Sequence, residues 1–323
     1  MKKRHLLFLF LLALLAALYV SLTPDSDPQA MRAKYASSES RFLSLEPGLT
    51  LHYRDEGIAN GPVLVLLHGN SASLHSFDPL VERLKDRFRL IRYDHPGHGL
   101  TGPNATQTYA YADFERAFSG LLAELNVDQF HLLGHSMGGW VAWRYAAANP
   151  QRIKRLVLMS ASGMPLGDAA KKVDNGLGFK IARSAAGRWI SKHITPRSLV
   201  RDSVAASVAD QALVTDEWAD RYYELLLMPG NREALGARMI AQREPELADT
   251  VARVNVPSLL LWGEHDNFVP ASAAAEFAQR MPSTSTVILE GIGHMLVEEA
   301  PDDVARIVSE FLSVSTLDDT ALD

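Results

Sequence analysis

The chain contains no cysteine among its 323 residues. That absence excludes disulfides, a cysteine nucleophile, thiolate metal sites and lipid attachment through sulfur. It leaves the compartment open, because a cysteine-free chain folds in either redox environment. Positive charge is also in short supply. Without Lys2, Lys3 and Arg4, 29 basic residues face 38 acidic ones, a net charge of −9. So acidic a body disfavours nucleic acid and anionic lipid head groups as partners. Internal repeats are absent, and β-rich runs are missing between about Gly163 and Val251. The remainder is ordinary for a globular protein, 47% apolar and 22% charged.

One long uncharged run stands apart. Lys2-Lys3-Arg4 precede Leu6 to Leu22, and Asp25 and Asp27 follow. A basic flank before an apolar run predicts a cytoplasmic N-terminus and a translocated body. Seventeen residues exceed the usual apolar region of a signal peptide and reach the lower limit for a spanning helix. Tyr19-Val20-Ser21-Leu22-Thr23-Pro24 offers no good pair of small residues for cleavage. The expectation for residues 1–24 is an uncleaved inner-membrane anchor with the remaining chain periplasmic. The alternative is secretion after cleavage. Residues 25–41, rich in Ser, Asp and Pro, read as a tether.

Beyond the tether the pattern alternates. Pro62 to Leu67, Arg89 to Asp94, Phe130 to His135, Arg155 to Ser160, Ser258 to Trp262 and Thr286 to Leu289 are apolar, strand-like runs. Helical spacing separates several of them, and Asp302 to Ser313 is amphipathic through Val304, Ile307, Val308 and Phe311. Strands alternating with helices predict an α/β fold with a mostly parallel sheet covered on both faces. Residues 42–163 and 252–313 form its core, the helical stretch 164–251 reads as a cap, and 314–323 as a tail.

Phe130 to His135 runs directly into Gly134-His135-Ser136-Met137-Gly138 and out into a helical pattern. A serine hydroxyl is a poor nucleophile unless held exposed beside a base. A sharp strand-to-helix turn holds it, and leaves no room for side chains two positions either side, hence Gly134 and Gly138. A base and an orienting carboxylate must accompany it. Among 11 histidines, His294 lies in Gly291-Ile292-Gly293-His294, between the last strand and the last helix. Asp266 follows another strand end, in Trp262-Gly263-Glu264-His265-Asp266, with Glu264 as its rival. Both positions are at carboxyl ends of strands, where parallel sheets place their sites.

The order Ser136, Asp266, His294 is that of the α/β-hydrolases, and the chain resembles that superfamily from about Phe42 to Ser313. His68-Gly69-Asn70 is similar to its oxyanion loop, and Asp94-His95-Pro96-Gly97-His98-Gly99 to its tight turn after a strand. Arg221-Tyr222-Tyr223 and Pro229 to Ala234 resemble a cap segment of a bacterial subgroup. The resemblance implies that Ser136 attacks an acyl carbon, His294 moves the proton and Asp266 orients His294. The backbone N–H groups of Asn70 and Met137 would bind the oxyanion. It implies a structural His68 and a tight turn, not a metal site, at Asp94, His95 and His98. His135 and Ser71 fit either substrate contact or loop scaffolding. Trp218, Tyr222 and Leu225 share a helical face, read as cap packing, with an acyl-pocket lining as the alternative.

Serine at the nucleophile position implies acyl transfer, unlike the aspartate of dehalogenases and epoxide hydrolases of this fold. The expected function is hydrolysis of a small carboxylic ester, of medium-chain or aryl type, without cofactor or metal. One alternative is C–C bond hydrolysis of a vinylogous diketone, because Gly-x-Ser-Met-Gly-Gly and a cap resemble those enzymes. Another is a non-catalytic binding protein on the same fold. Acyl and alcohol specificity and oligomeric state are not legible.

Overall fold

The computed structural model describes His5 and residues 22–46, 48–164, 184–241 and 247–313. The expected anchor and the tail 314–323 lie outside the described residues, apart from His5 and residues 22–24. No described helix is long and apolar enough to cross a membrane.

Eight strands form one sheet. They are β1 (Ser40–Glu46), β2 (Leu49–Gly57), β3 (Val63–Leu67), β4 (Arg89–Tyr93), β5 (Phe130–His135), β6 (Ile153–Met159), β7 (Ser258–Gly263) and β8 (Thr284–Leu289). Their spatial order is β1-β2-β4-β3-β5-β6-β7-β8. The first two neighbour pairs are antiparallel and all the others parallel. The chain thus winds outward from β3 to β4, then returns past β3 to β5. That reversal opens a crevice above the carboxyl ends of β3 and β5, the usual place for a site in such sheets.

The central strands are largely apolar, β3 throughout, because both faces are covered. Successive side chains alternate between two cores. Val65, Leu67, Leu132 and Leu158 pack on one face against helices α3 (Tyr111–Glu124) and α4 (Met137–Ala148). Leu64, Leu66, Leu133 and Val157 pack on the other, against α2 (Asp78–Leu84) and the terminal helix Pro301–Ser313. Each such side chain stabilises the fold by about 1.5–3 kcal/mol. Val304 and Val308 of the terminal helix are buried in the second core, with Ile307 and Phe311 packed at its edge.

The tether expectation requires correction. Residues Pro28–Tyr35 form a helix, α1, capped by Asp27, whose carboxylate accepts the Gln29 N–H at 2.8 Å. Ser and Asp before a proline act here as a helix start rather than as slack. Met31, Tyr35 and Ala36 pack beside Leu100, Leu225 and Met228, which docks α1 on the cap.

Between β6 and β7 the described residues are helical: α5 (Ala185–His193), α6 (Arg197–Ser207), α7 (Asp216–Leu226), α8 (Asn231–Ala241) and a short turn of helix at Leu247–Val251. Residues 165–183 and 242–246 of the expected cap lie outside the described residues. Trp218 is buried among Val204, Val208, Val214 and Met295, and Leu225 beside Leu100, as packing residues. Tyr222 packs against the same cluster as Trp218 and also lines a cavity, described below.

Candidate active site

Ser136 sits on the turn between β5 and α4 with φ +53° and ψ −116°. Such a conformation is costly for a non-glycine residue and persists only when its surroundings dictate it. Here they do. The Ser136 N–H donates to Met159 O at 3.0 Å, and its carbonyl accepts from Trp140 N at 3.1 Å and Ser162 N at 3.0 Å. The flanking glycines are forced by space. A Cβ at Gly134 would lie 2.4 Å from Gly138 O, and one at Gly138 would lie 2.1 Å from Leu67 O. The side chain of Ser136 is half-buried, and its hydroxyl makes no hydrogen bond among the described residues. The Met137 amide opens α4, where N–H groups lack helical acceptors and aim outward.

The loop after β3 passes against this turn. A Cβ on Gly69 would stand 3.1 Å from Ser136 Cβ and 3.2 Å from His135 Nδ1. Buried His68 holds the loop: its Nε2 accepts the His95 N–H at 3.0 Å, and its Nδ1 donates to Gly69 O at 2.8 Å. Burial drives the His68 pKa down to about 4, so it is neutral and structural. Asn70 is exposed, and its Oδ1 accepts from Arg238 Nε at 2.9 Å. The next residue, Ser71, lines the cavity.

The other half of the site comes from the loops after β7 and β8. Asp266 is buried, and its Oδ2 accepts from His294 Nδ1 at 2.8 Å. Its Oδ1 accepts the N–H groups of Phe268 and Val269, each at 2.8 Å. Burial pushes the Asp266 pKa up, but the His294 hydrogen bond and charge outweigh it and hold the carboxyl below its ordinary value. Because a carboxylate only accepts, Nδ1 of His294 carries the proton and Nε2 is left as an acceptor. Glu264 is turned away, with its carboxylate on Gly291 N at 3.0 Å.

His294 is fixed on several sides. Its N–H donates to Ser207 O of the cap at 2.8 Å, and its ring lies 4.8 Å from that of His135. His135 Nε2 donates to His294 O at 2.8 Å, so this residue is scaffolding beside Ser136. Burial pushes its pKa to about 3 and keeps it uncharged.

The tight turn after β4 is also structural. Asp94 accepts from Leu74 N at 2.7 Å and Leu100 N at 2.8 Å, and shares a 2.8 Å hydrogen bond with His52. Its carboxylate is consumed by backbone and imidazole donors. No group of three or more His, Cys, Asp and Glu among the described residues could hold a metal ion.

Two further residues, outside every motif, hold the loops of the site. Glu299 accepts from Ala209 N, Gly293 N and Met295 N at 2.8, 3.0 and 3.1 Å, tying the His294 loop to the cap. Arg238 is buried without a carboxylate partner among the described residues and bridges α8 to Asn70 and Gly97. Glu299 could have been suspected from its place five residues after His294. Arg238 carries no local mark.

A cavity of about 420 Å³ reaches the loop after β3 at Ser71. Its lining is mainly apolar, including Ile190, Ile194, Leu199, Val200, Val204, Leu226 and Leu235, with Tyr222 and Arg232. The Tyr222 hydroxyl donates to Glu298 Oε2 at 2.8 Å, leaving its ring for the cavity. Volume and lining suit a small, largely apolar ligand.

Known proteins agree with this architecture. The chain is 30% identical to the magnesium-chelatase 30 kDa subunit of Rhodobacter capsulatus, over 88% of this chain and 99% of that protein. It is 26% identical to a 2-hydroxy-6-oxononadienedioate/2-hydroxy-6-oxononatrienedioate hydrolase of Pseudomonas putida, over 85% of this chain and 97% of that one. A solved hydrolase from Pseudomonas aeruginosa superposes with a TM-score of 0.70 at 28% identity, covering 86% of this chain and all of the other. Residues 62–301 match the family model described as alpha/beta hydrolase fold. By fold and by these relatives the chain is a hydrolase, and it belongs to the α/β-hydrolase family.

Proposed function

We propose that the protein hydrolyses a carboxylic ester with an apolar acyl group, through a Ser136-His294-Asp266 triad and an acyl-enzyme. One arrangement carries this reading: a serine held at positive φ directly after His135, whose ring lies 4.8 Å from that of His294, and a His294 whose Nδ1 is locked on the buried Asp266. Ser136 Oγ attacks the acyl carbon while its proton passes to His294 Nε2. The alcohol leaves with that proton, and water then releases the acid by the same two transfers. The N–H groups of Asn70 and Met137 receive the developing oxyanion, each worth about 3 kcal/mol in comparable sites. No cofactor enters these steps.

Cleavage of a C–C bond in a vinylogous diketone is the second reading, favoured by relatives named as dienedioate hydrolases. A dioate carries two carboxylates. Among the residues lining the cavity, Arg232 is the one cation, and its Nη2 already donates to Asp25 Oδ1 at 2.6 Å. An uncharged acyl chain therefore fits this lining better. A non-catalytic role is the weaker reading, because the sequence keeps all three candidates, Ser136, Asp266 and His294.

The apolar run Leu6 to Leu22, with its basic flank, supports an inner-membrane anchor with the hydrolase body on the periplasmic side. The deciding experiment uses a fluorophosphonate probe and a series of p-nitrophenyl esters. Labelling and turnover in the native protein, both lost in a folded Ser136→Ala variant, are expected. Undiminished labelling of that variant would overturn the assignment.

A further inference from the structure

The chain emerging from the apolar run is stitched to the cap at once. Thr23, the first residue after Leu22, donates its N–H to His193 O at 2.7 Å, and its Oγ1 accepts the Thr195 N–H at 3.0 Å. Arg232 Nη1 donates to Thr23 O at 2.9 Å, and its Nη2 pairs with Asp25 at 2.6 Å. Ser26 N donates to Leu227 O at 2.8 Å. Arg232 and Thr195 are buried beneath this seam, while Asp25 stays exposed at its outer side.

The seam coincides with the cavity. Thr195 and Arg232 belong to both. Ile190 and Leu199 line the cavity yet are 46% and 60% exposed, and Trp189, stacked on His193, is 49% exposed. Single exposed apolar residues need no explanation. Ile190 and Leu199 at this cavity and Trp189, one position before Ile190, are among the most exposed large apolar side chains of the described residues, and beside the end of a seventeen-residue apolar run they call for an apolar neighbour. The inner end of the same cavity reaches Ser71, next to Asn70.

A residue spans at most about 3.5 Å of chain. With Thr23 already bonded to the cap, no leash separates the end of the run from residues 193–195. If the run ends at the head-group level, these cap residues lie within a few ångströms of it. Aromatic and aliphatic side chains on an amphipathic helix partition into that layer. Asp25 and Arg232 neutralise one another, so the seam brings no net charge to the surface.

We propose that the cap mouth formed by Trp189, Ile190 and Leu199 rests in the bilayer leaflet nearest the end of the N-terminal run, and that the cavity draws the acyl chain of an ester lipid directly from it. The proposal rests on the ester-hydrolase reading and on the anchor. It names the substrate class as membrane lipids bearing an acyl ester, and the docking partner as a lipid bilayer.

The absence of cysteine makes the test clean. Full-length Leu199→Cys and Ile58→Cys proteins, each labelled with a polarity-sensitive fluorophore, are reconstituted into phosphatidylcholine vesicles containing a doxyl-lipid quencher. Ile58 lies before β3, at the end of the sheet opposite the site. Quenching at least threefold stronger at position 199 than at 58 is expected, and equal quenching overturns the proposal. In a second arm, Trp189→Glu should lower hydrolysis of vesicle phosphatidylcholine at least tenfold while hydrolysis of a water-soluble butyrate ester is unchanged. Parallel loss of both activities, or of neither, overturns it. Failure of the ester-hydrolase reading is seen separately, as no butyrate turnover and no fluorophosphonate labelling by the native protein.

Discussion

Glu299 brackets His294: its carboxylate accepts the N–H of the residue before, Gly293, at 3.0 Å and of the residue after, Met295, at 3.1 Å. A third bond, from Ala209 N at 2.8 Å, extends the clamp into the cap. Holding a base within a fraction of an ångström is worth a large factor in rate. Glu299→Gln keeps the shape but puts an NH2 group against backbone donors. It is expected to lower kcat by up to about 100-fold, the cost of a misplacement of roughly 1 Å, with KM little changed. Steady-state kinetics on a soluble ester check this, and an unchanged kcat would leave Glu299 a purely structural residue.

The two acids after β7 separate by the same measurement. Asp266→Asn should reduce kcat by about 10⁴, because the amide favours the wrong His294 tautomer. Glu264→Gln should leave kcat within about twofold, since among the described residues its carboxylate serves Gly291 N and the neighbouring His265. Reversed outcomes would move the role to Glu264.

Gly138 tests the serine turn through folding rather than chemistry. A methyl there meets Leu67 O at 2.1 Å, backbone that cannot swing aside. Gly138→Ala is expected to destabilise the protein by about 2 kcal/mol or more, read as a lower urea midpoint with an unchanged slope. A midpoint equal to that of the native protein would show that the turn relaxes easily.

Buried histidines make the fold lose stability as the pH falls. Burial lowers His68, His75 and His131 to a pKa of about 4, against 6.5 in the unfolded chain. Between those values the unfolded chain binds more protons, so stability falls as pH drops from 6.5 towards 4. Each group contributes a loss of about 1.4 kcal/mol per pH unit at most in that window. His131→Leu should flatten the decline between pH 6.5 and 5, measured by urea unfolding at each pH. The same slope in both proteins would show that His131 does not contribute.

Much of this protein is legible residue by residue. Apolar runs such as Leu64 to Leu67 must be buried on both faces, so a parallel sheet follows from hydrophobicity alone. Gly134, Ser136 and Gly138 mark the turn because only glycine leaves space there. His294 is the candidate base from its place after the last strand, whereas Asp266 and Glu264 share a strand end and only the family resemblance favours Asp266. The tether misread its own signals: Asp27-Pro28 is a helix start, and only the cap surface that receives Met31 and Tyr35 turns that local preference into a docked helix.

Local composition and period thus determined the sheet, the serine turn and the two partner loops, because each depends on neighbours close in the chain or on a repeating apolar face. Tertiary structure alone decided the rest. Arg238 reaches Asn70 across 168 positions, Arg232 reaches Asp25 across 207, and Glu299 reaches Ala209 across 90. No periodicity or motif encodes such meetings. They arise only when the cap folds back over the sheet, and they determine how the loops carrying Asn70 and His294 are held and where the cavity opens.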